Sequence, residues 1–188
     1  MRWDGVVRES PAWNRDLTLE QAFRVSALWY FVKLGEMNSR QRLADAMRAL
    51  QYGNADAMGS NQFWIDGPLR ISADGQVRWL DNLARNAIPF SARSLRLLRQ
   101  IMLTDKSAAA DGDWALYTKT GFAPHGAATG DPPVGWIVGF AERGGKTYPF
   151  ALNVSERPNE RKSSPKYIPE RLELARAMLE RLGILPPK

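Results

Sequence analysis

The spacing of apolar residues changes once along this chain, near Gly112, and that change constrains the fold more than any other feature. Ahead of it, apolar residues recur at helical spacing. After it, apolar and polar residues alternate, as in Trp114–Lys119 and Gly135–Phe140, which predicts strands. We therefore expect one α+β domain over residues 1–188, helical to about 110 and strand-rich from about 113, with helices packed against an antiparallel sheet.

Capping residues predict where the helices begin. Thr18, with Gln21 three residues later, forms a capping-box pattern, and we expect a helix that runs through Ser26 and ends near Gly35. Serines predict three further helix starts, at Ser39, Ser72 and Ser91. We expect a last helix from about Pro169 to Leu182, with these residues facing inward: Leu172, Ala175, Leu179 and Leu182.

A tight hairpin is predicted in the strand-rich part. Arg143-Gly144-Gly145-Lys146 places two glycines where a type I′ turn requires positive φ angles. The returning strand, Thr147–Val154, contains Pro149, which has no N–H to donate. This strand is therefore expected at an edge of the sheet or at a bulge.

Composition excludes several classes of function. The net charge of +6 could indicate an acidic partner, but the basic residues are scattered, and Arg93, Arg96 and Arg99 are interpreted as the solvated face of a helix, so nucleic-acid binding is not expected. No apolar run reaches the roughly 20 residues that span a bilayer. The chain has no cysteine, and its single histidine, His125, is interpreted as a solvent-exposed loop residue, so no metal site is expected.

Lys119-Thr120-Gly121 is the strongest candidate for chemistry. On a strand beside a cleft, the ammonium and the hydroxyl can bind a substrate carboxylate, and the glycine allows close approach of a ligand. Taken alone, the tripeptide favours a different interpretation, in which Lys119 is a solvated strand residue and Gly121 only a turn glycine.

Other motifs in the same order give the tripeptide its meaning. Together with Gly135–Gly139, Tyr52-Gly53-Asn54 and Ser26-Ala27-Leu28, it resembles the motifs of the class D, or oxacillinase-type, serine β-lactamases, which share the penicillin-binding transpeptidase fold. The resemblance covers essentially the whole chain and includes these stretches: Trp3-Asp4-Gly5, Ala12-Trp13-Asn14, Asp16–Leu19, Phe63–Gly67, Leu69–Ala73 and Phe150–Asn153.

The resemblance implies roles for individual residues. Ser26 corresponds to the hydroxyl that relays a proton to the leaving nitrogen, and Leu28 occupies the place of the family's usual valine. Trp64 corresponds to the tryptophan that holds a carbamylated lysine. Tyr52-Gly53-Asn54 is expected to shape the site, and Trp136 to pack.

The substrate cleft is implied by a second group of residues. Lys119, Thr120, Gly121 and Phe122 correspond to the strand that lines this cleft. Arg161 corresponds to the arginine that pairs with the β-lactam carboxylate, since a guanidinium can form two parallel hydrogen bonds. The expected ligands are β-lactam antibiotics, which the family hydrolyses through a serine acyl-enzyme, and no separate cofactor is expected.

The family's nucleophile motif, Ser-x-x-Lys, does not precede these motifs. The one formal match, Ser163-Ser164-Pro165-Lys166, follows them and is interpreted as a loop. We therefore expect the chain to be the C-terminal part of such an enzyme and inactive alone. A penicillin-sensing receptor domain and a non-catalytic remnant or interaction module are the alternatives. The resemblance implies a periplasmic location, and the chain as written, without a signal peptide, a cytoplasmic one.

Overall fold

The structure is a computed structural model and describes residues 1–107, 113–123, 133–155 and 167–187. After a single 3₁₀ turn at Pro11–Trp13, the helices are α1 Leu19–Arg24, α2 Leu28–Glu36, α3 Arg40–Ala49, α4 Ala73–Ala84, α5 Ala92–Met102 and α6 Tyr167–Arg181. The strands are β1 Leu103–Lys106, β2 Trp114–Ala123, β3 Val134–Arg143 and β4 Lys146–Ser155. The predicted α+β architecture is confirmed.

The helix starts follow the predicted caps. Thr18 and Gln21 form the complete capping box, and the side chains of Ser39, Ser72 and Ser91 each accept a backbone N–H in the first turn of their helices. The prediction of one continuous helix up to Gly35 is wrong. The chain breaks at Ser26, whose φ of +52° lies in the left-handed region, so α1 and α2 are separate helices.

The four strands form one antiparallel sheet in the order β1-β2-β3-β4. The predicted turn connects β3 to β4, with Gly144 and Gly145 at φ +55° and +73°. Among the described residues β4 is an edge strand, which explains how it accommodates Pro149. Strand β1 was not predicted from the sequence; it is a short polar strand that continues directly from α5 and pairs with residues 115–117 of β2.

Apolar side chains cover both faces of the sheet. On one face α4 packs against β4 and β3, and α5 packs against β2, around Leu80, Leu95 and Phe140. On the other face Leu179 of α6 and Leu185 pack against Leu116 and its neighbours. Two sheet faces covered by helices make a three-layer arrangement.

The inward face of α6 differs from the predicted one. From residue 170 on, where the burial of α6 is described, its buried residues are Arg171, Ala175 and Leu179, at intervals of one helical turn. Leu172 is only half-buried, and Leu182 is 70% exposed because the helix ends at Arg181 and the chain turns through Gly183. The buried face is therefore shifted by one residue at its N-terminal end, which brings an arginine against the sheet.

The stripe of basic residues predicted on α5 is partly wrong. Arg93 and Arg96 are exposed as expected, but Arg99 is half-buried and donates to Glu142 at 2.5 Å and to the carbonyl of Ala84 at 2.7 Å. Within the described residues, no helix has the length and apolar character that crossing a membrane requires.

Candidate active site

Lys119 and Ser26, which are 93 residues apart in the sequence, meet at the junction between the sheet and the helices. Lys119 Nζ donates to Ser26 Oγ at 2.5 Å and to the carbonyl oxygen of Thr120 at 2.6 Å. The same ammonium lies 5.5 Å from the ring centroid of Phe23 on α1. The break between α1 and α2 thus presents the Ser26 hydroxyl to the lysine of β2.

The surroundings of Lys119 favour its neutral form. Burial lowers the pKa of Lys119 from its ordinary value of 10.5 to about 8. The charged residues of the neighbouring helix α1, Glu20 and Arg24, pair with each other at 3.1 Å. A lysine with a pKa near 8 can both hold and accept a proton close to neutral pH, which suits a proton relay with Ser26.

Side chains of β2 alternate between the two faces of the sheet. Lys119 pairs with Val138, which lies on the face covered by α4 and α5. Thr120 pairs with Ile137 and points to the face covered by α6. Beyond Tyr117 no residue of β1 pairs with β2, so among the described residues the stretch of β2 from Thr118 to Ala123 has a free edge.

Gly121 and Phe122 continue this free edge toward solvent. A β-carbon at Gly121 would lie 3.7 Å from Trp136 Cβ, an ordinary contact, so the glycine is not required for packing. Phe122 is 40% exposed and therefore has area available for a ligand. Trp136, expected to pack, is half-buried and lies opposite Gly121 on β3.

Arg171 is a candidate residue that the sequence analysis missed. It is 2% exposed, and none of its three guanidinium nitrogens has a hydrogen-bond partner in the part of the chain that the structure describes. Burial lowers its pKa. A β-carbon at Gly135 would lie 1.9 Å from Arg171 Nη1, so the guanidinium occupies the space that this glycine leaves open.

The register of the sheet brings Arg171 to the same face as Thr120. Gly135 is two residues from Ile137, the partner of Thr120, and both point toward α6. A buried guanidinium with no partner among the described residues is a candidate anion site, because a guanidinium can form paired hydrogen bonds with a carboxylate. The signal in the sequence was an arginine four residues before Ala175, in register with the inward face of the last helix.

Tyr52-Gly53-Asn54 is held against the backbone around Arg70. The Asn54 side chain accepts from the N–H of Arg70 at 3.0 Å and donates to the carbonyl of Pro68 at 2.9 Å. Gly53 has φ +56°, and a β-carbon there would lie 2.2 Å from the carbonyl oxygen of Arg70. These contacts agree with a shaping role, which remains a prediction.

Tyr52 is tied to α4 and not to the lysine. Its ring meets Trp79 edge-on with centroids 5.3 Å apart. Burial raises the pKa of Tyr52, and a hydrogen bond with Gln76 partly offsets the shift. The Tyr52 hydroxyl therefore stays protonated, and the Tyr52 ring packs against α4.

Trp64 and Leu28, two further residues expected at the site, lie in different parts of the helical region. Trp64 contacts Phe63 edge-on at 5.0 Å and belongs to a small apolar cluster with Ala44 and Ala57. Leu28 is the half-buried first residue of α2, two positions after Ser26. The described contacts show packing for both, and their roles in the site remain predictions.

Several predicted residues lie outside the described ones: Arg161, His125 and Ser163-Ser164-Pro165-Lys166. The carboxylate-binding role of Arg161 stays a prediction. Within the described ranges, no group of three or more His, Asp or Glu side chains could hold a metal ion.

Comparisons with known proteins agree on one family. Residues 1–172 match the penicillin-binding protein transpeptidase domain. The chain is 35% identical over 164 residues to a probable β-lactamase, YbxI, of Bacillus subtilis, covering 86% of this chain and 58% of that protein. It is also 35% identical over 187 residues to the β-lactamase OXA-20 of Pseudomonas aeruginosa, covering 99% of this chain and 64% of that protein.

Solved structures give the same result. A crystal structure of a class D β-lactamase, FUS-1 (OXA-85), from Fusobacterium nucleatum matches with a TM-score of 0.85 at 30% identity, covering 98% of this chain and 71% of that one. The class D β-lactamase YbXI from Nostoc matches with a TM-score of 0.83 at 33% identity, covering 98% and 73%. The chain thus spans less than two thirds of the two curated relatives and somewhat more of these solved structures.

Proposed function

Because the chain belongs to the penicillin-binding transpeptidase family and, within it, to the class D β-lactamases, we propose that its residues bind a β-lactam and move a proton during hydrolysis of the lactam ring. The contact between Lys119 Nζ and Ser26 Oγ carries this proposal, because it joins a lysine of lowered pKa to a hydroxyl beside the free edge of β2. Substrate binding and proton transfer are then both carried out at the short stretch of β2 that contains Lys119.

The free edge of β2 supports a position for the substrate. A β-lactam that lies along Thr118–Ala123 is flanked by Lys119 on one face of the sheet and by Thr120 on the other. Thr120 and Arg171 lie on the same face of the sheet, and the antibiotic's carboxylate is proposed to lie on that face, against the Thr120 hydroxyl. We propose Arg171 as the residue that neutralises this carboxylate, because its buried nitrogens have no described partner.

Ser26 and Lys119 are proposed to supply the proton that the leaving nitrogen needs. When the lactam C–N bond breaks, its nitrogen must gain a proton. Protonated Lys119 passes a proton to Ser26 Oγ as the Ser26 hydroxyl gives its own proton to the nitrogen. The short contact between the two side chains supports this relay.

Acylation in the family, by the resemblance, uses a serine from a Ser-x-x-Lys turn ahead of these motifs. The 188 residues hold no such turn before Lys119. We propose that a polypeptide of these residues alone binds β-lactams without opening them.

Ligand-observed NMR of the 188-residue chain with benzylpenicillin tests the proposal. We expect saturable binding, no binding of benzylpenicillin methyl ester, which lacks the carboxylate, and loss of binding in Arg171→Met. Arg176→Met on the same helix is the matched control and should bind normally, because Arg176 is already paired with Asp105 and Glu180. Loss of binding in Arg161→Met but not in Arg171→Met would assign the carboxylate to Arg161 instead.

Nitrocefin hydrolysis and intact mass after incubation with benzylpenicillin test the second part. We expect neither colour change nor a penicilloyl adduct. An adduct would show that these residues open the lactam unaided.

A further inference from the structure

The position of Ser26 sets it apart from the other serines of the chain. Its backbone, at φ +52°, is in a region that residues other than glycine adopt at a cost, and such strain is often retained where a side chain must be presented in a fixed direction. The side chain is exposed, and Lys119 Nζ lies 2.5 Å from its oxygen. An electrophile in solution can therefore reach a hydroxyl that already touches an amine.

The serines at helix starts are placed differently. The hydroxyls of Ser39, Ser72 and Ser91 accept backbone N–H groups, and no described lysine contacts them. Ser94 is also exposed, but its hydroxyl contacts Ser91 Oγ at 3.0 Å. Ser60 is exposed as well and donates to the Asp66 carboxylate, so Ser26 is the serine whose hydroxyl contacts an amine among the described residues.

We propose that Ser26 and Lys119 form a serine–lysine nucleophilic pair that attacks carbonyl and phosphoryl groups whose leaving group departs without a proton. Neutral Lys119 Nζ takes the proton of the Ser26 hydroxyl, and Ser26 Oγ forms the new bond to carbon or phosphorus. The bond to the leaving group then breaks, releasing a phenolate or fluoride anion, and the lysine returns its proton to solvent.

This activity goes beyond the proposed function and differs from it chemically. A lactam nitrogen must be protonated as it leaves, and the proposed relay uses Ser26 for that step. When Ser26 is itself the nucleophile, its hydroxyl cannot also relay the proton. Activated esters and fluorophosphates do not need the relay, so they are the reagents that this pair should accept while benzylpenicillin stays intact.

The charges around Lys119 give the reaction a defined pH dependence. Ser26 faces the lysine from the break between α1 and α2, Phe23 faces it from α1, and the Thr120 carbonyl faces it from β2. The charged groups of α1, Glu20 and Arg24, pair with each other, and burial is the cause of the lysine's lowered pKa of about 8. The rate should therefore rise with pH and level off above this value.

Diisopropyl fluorophosphate tests the pair on the 188-residue chain. We expect one adduct by intact mass, mapped to Ser26 by peptide mass spectrometry, with Ser94 unmodified in the same digest. Lys119→Arg keeps the positive charge but cannot act as a base near neutral pH, and it should slow the reaction about 100-fold. Far-UV circular dichroism checks that this variant folds.

Two results would overturn the proposal. One is an unmodified Ser26 in the folded chain, and the other is a rate for Lys119→Arg equal to that of the parent chain. If Lys119→Arg does not fold, the pH profile of the parent chain decides, since a rate without a rise through about pH 8 also excludes the pair. None of these outcomes depends on β-lactam binding, so the proposed function is tested separately.

Discussion

Replacing Arg171 by methionine should make the protein more stable while removing the proposed anion site. Three guanidinium nitrogens are buried without a described partner, and an unsatisfied buried polar group costs about 1–3 kcal/mol. Methionine keeps the apolar stem that packs near Gly135 and removes the charge. We expect the free energy of unfolding to rise by about 1–3 kcal/mol, with Tm rising by about 2–4 °C for each kcal/mol in a domain of this size.

Arg176→Met is the matched control on the same helix. Arg176 contacts Asp105 at 2.7 Å and Glu180 at 2.8 Å, and it lies over the Trp114 ring. Its loss should lower the free energy of unfolding by about 1–3 kcal/mol, since two carboxylates lose their partner. Urea unfolding followed by circular dichroism measures both variants. If Arg171→Met were destabilised as much as Arg176→Met, the guanidinium of Arg171 would have a structural partner, and the argument for an anion site would fail.

Two further predictions concern β2 and β3. Because the pKa of Lys119 is lowered to about 8, the unfolded chain binds more protons than the folded chain between about pH 8 and 10.5, so the free energy of unfolding should rise with pH across that window. In urea titrations Lys119→Met should lack this rise. Parallel pH dependences for the two proteins would contradict the prediction. Gly139→Ala should lower the free energy of unfolding by at least about 2 kcal/mol, because the added β-carbon would lie 1.9 Å from the Tyr117 carbonyl oxygen. Gly121→Ala is the control, since its β-carbon would lie at an ordinary distance of 3.7 Å from Trp136 Cβ. This substitution should change the free energy of unfolding by less than about 1 kcal/mol.

The sequence predicted elements whose signals are local. A serine or threonine before an apolar repeat predicts a helix start because the side chain itself satisfies the first N–H groups, and all four predicted starts are confirmed. The two glycines of the β3–β4 turn are equally local, since the turn needs their positive φ angles. Such features depend on neighbours within a few residues.

Features set by distant contacts were missed. The break at Ser26 has no glycine or proline to signal it, and it becomes understandable only when Lys119 contacts the serine from another part of the chain. Strand β1 has one apolar and three polar residues, so it lacks the alternating pattern that predicts a strand. Its pairing with β2 identifies it as a strand. Arg171 faces inward because α6 packs one residue out of the predicted phase, and Gly135 on β3 makes the space for it.

The clamp at Asn54 has a consequence for how such a protein can vary. One amide side chain joins the two ends of the segment between Asn54 and Arg70. Inside that segment Phe63 and Trp64 pack with α3 in their own apolar cluster. Because the ends are fixed to each other, the segment can lengthen or shorten between them at a small entropic cost, and the strand that carries Lys119 need not move. Asn54 thus separates a region free to diversify from one whose geometry must be kept.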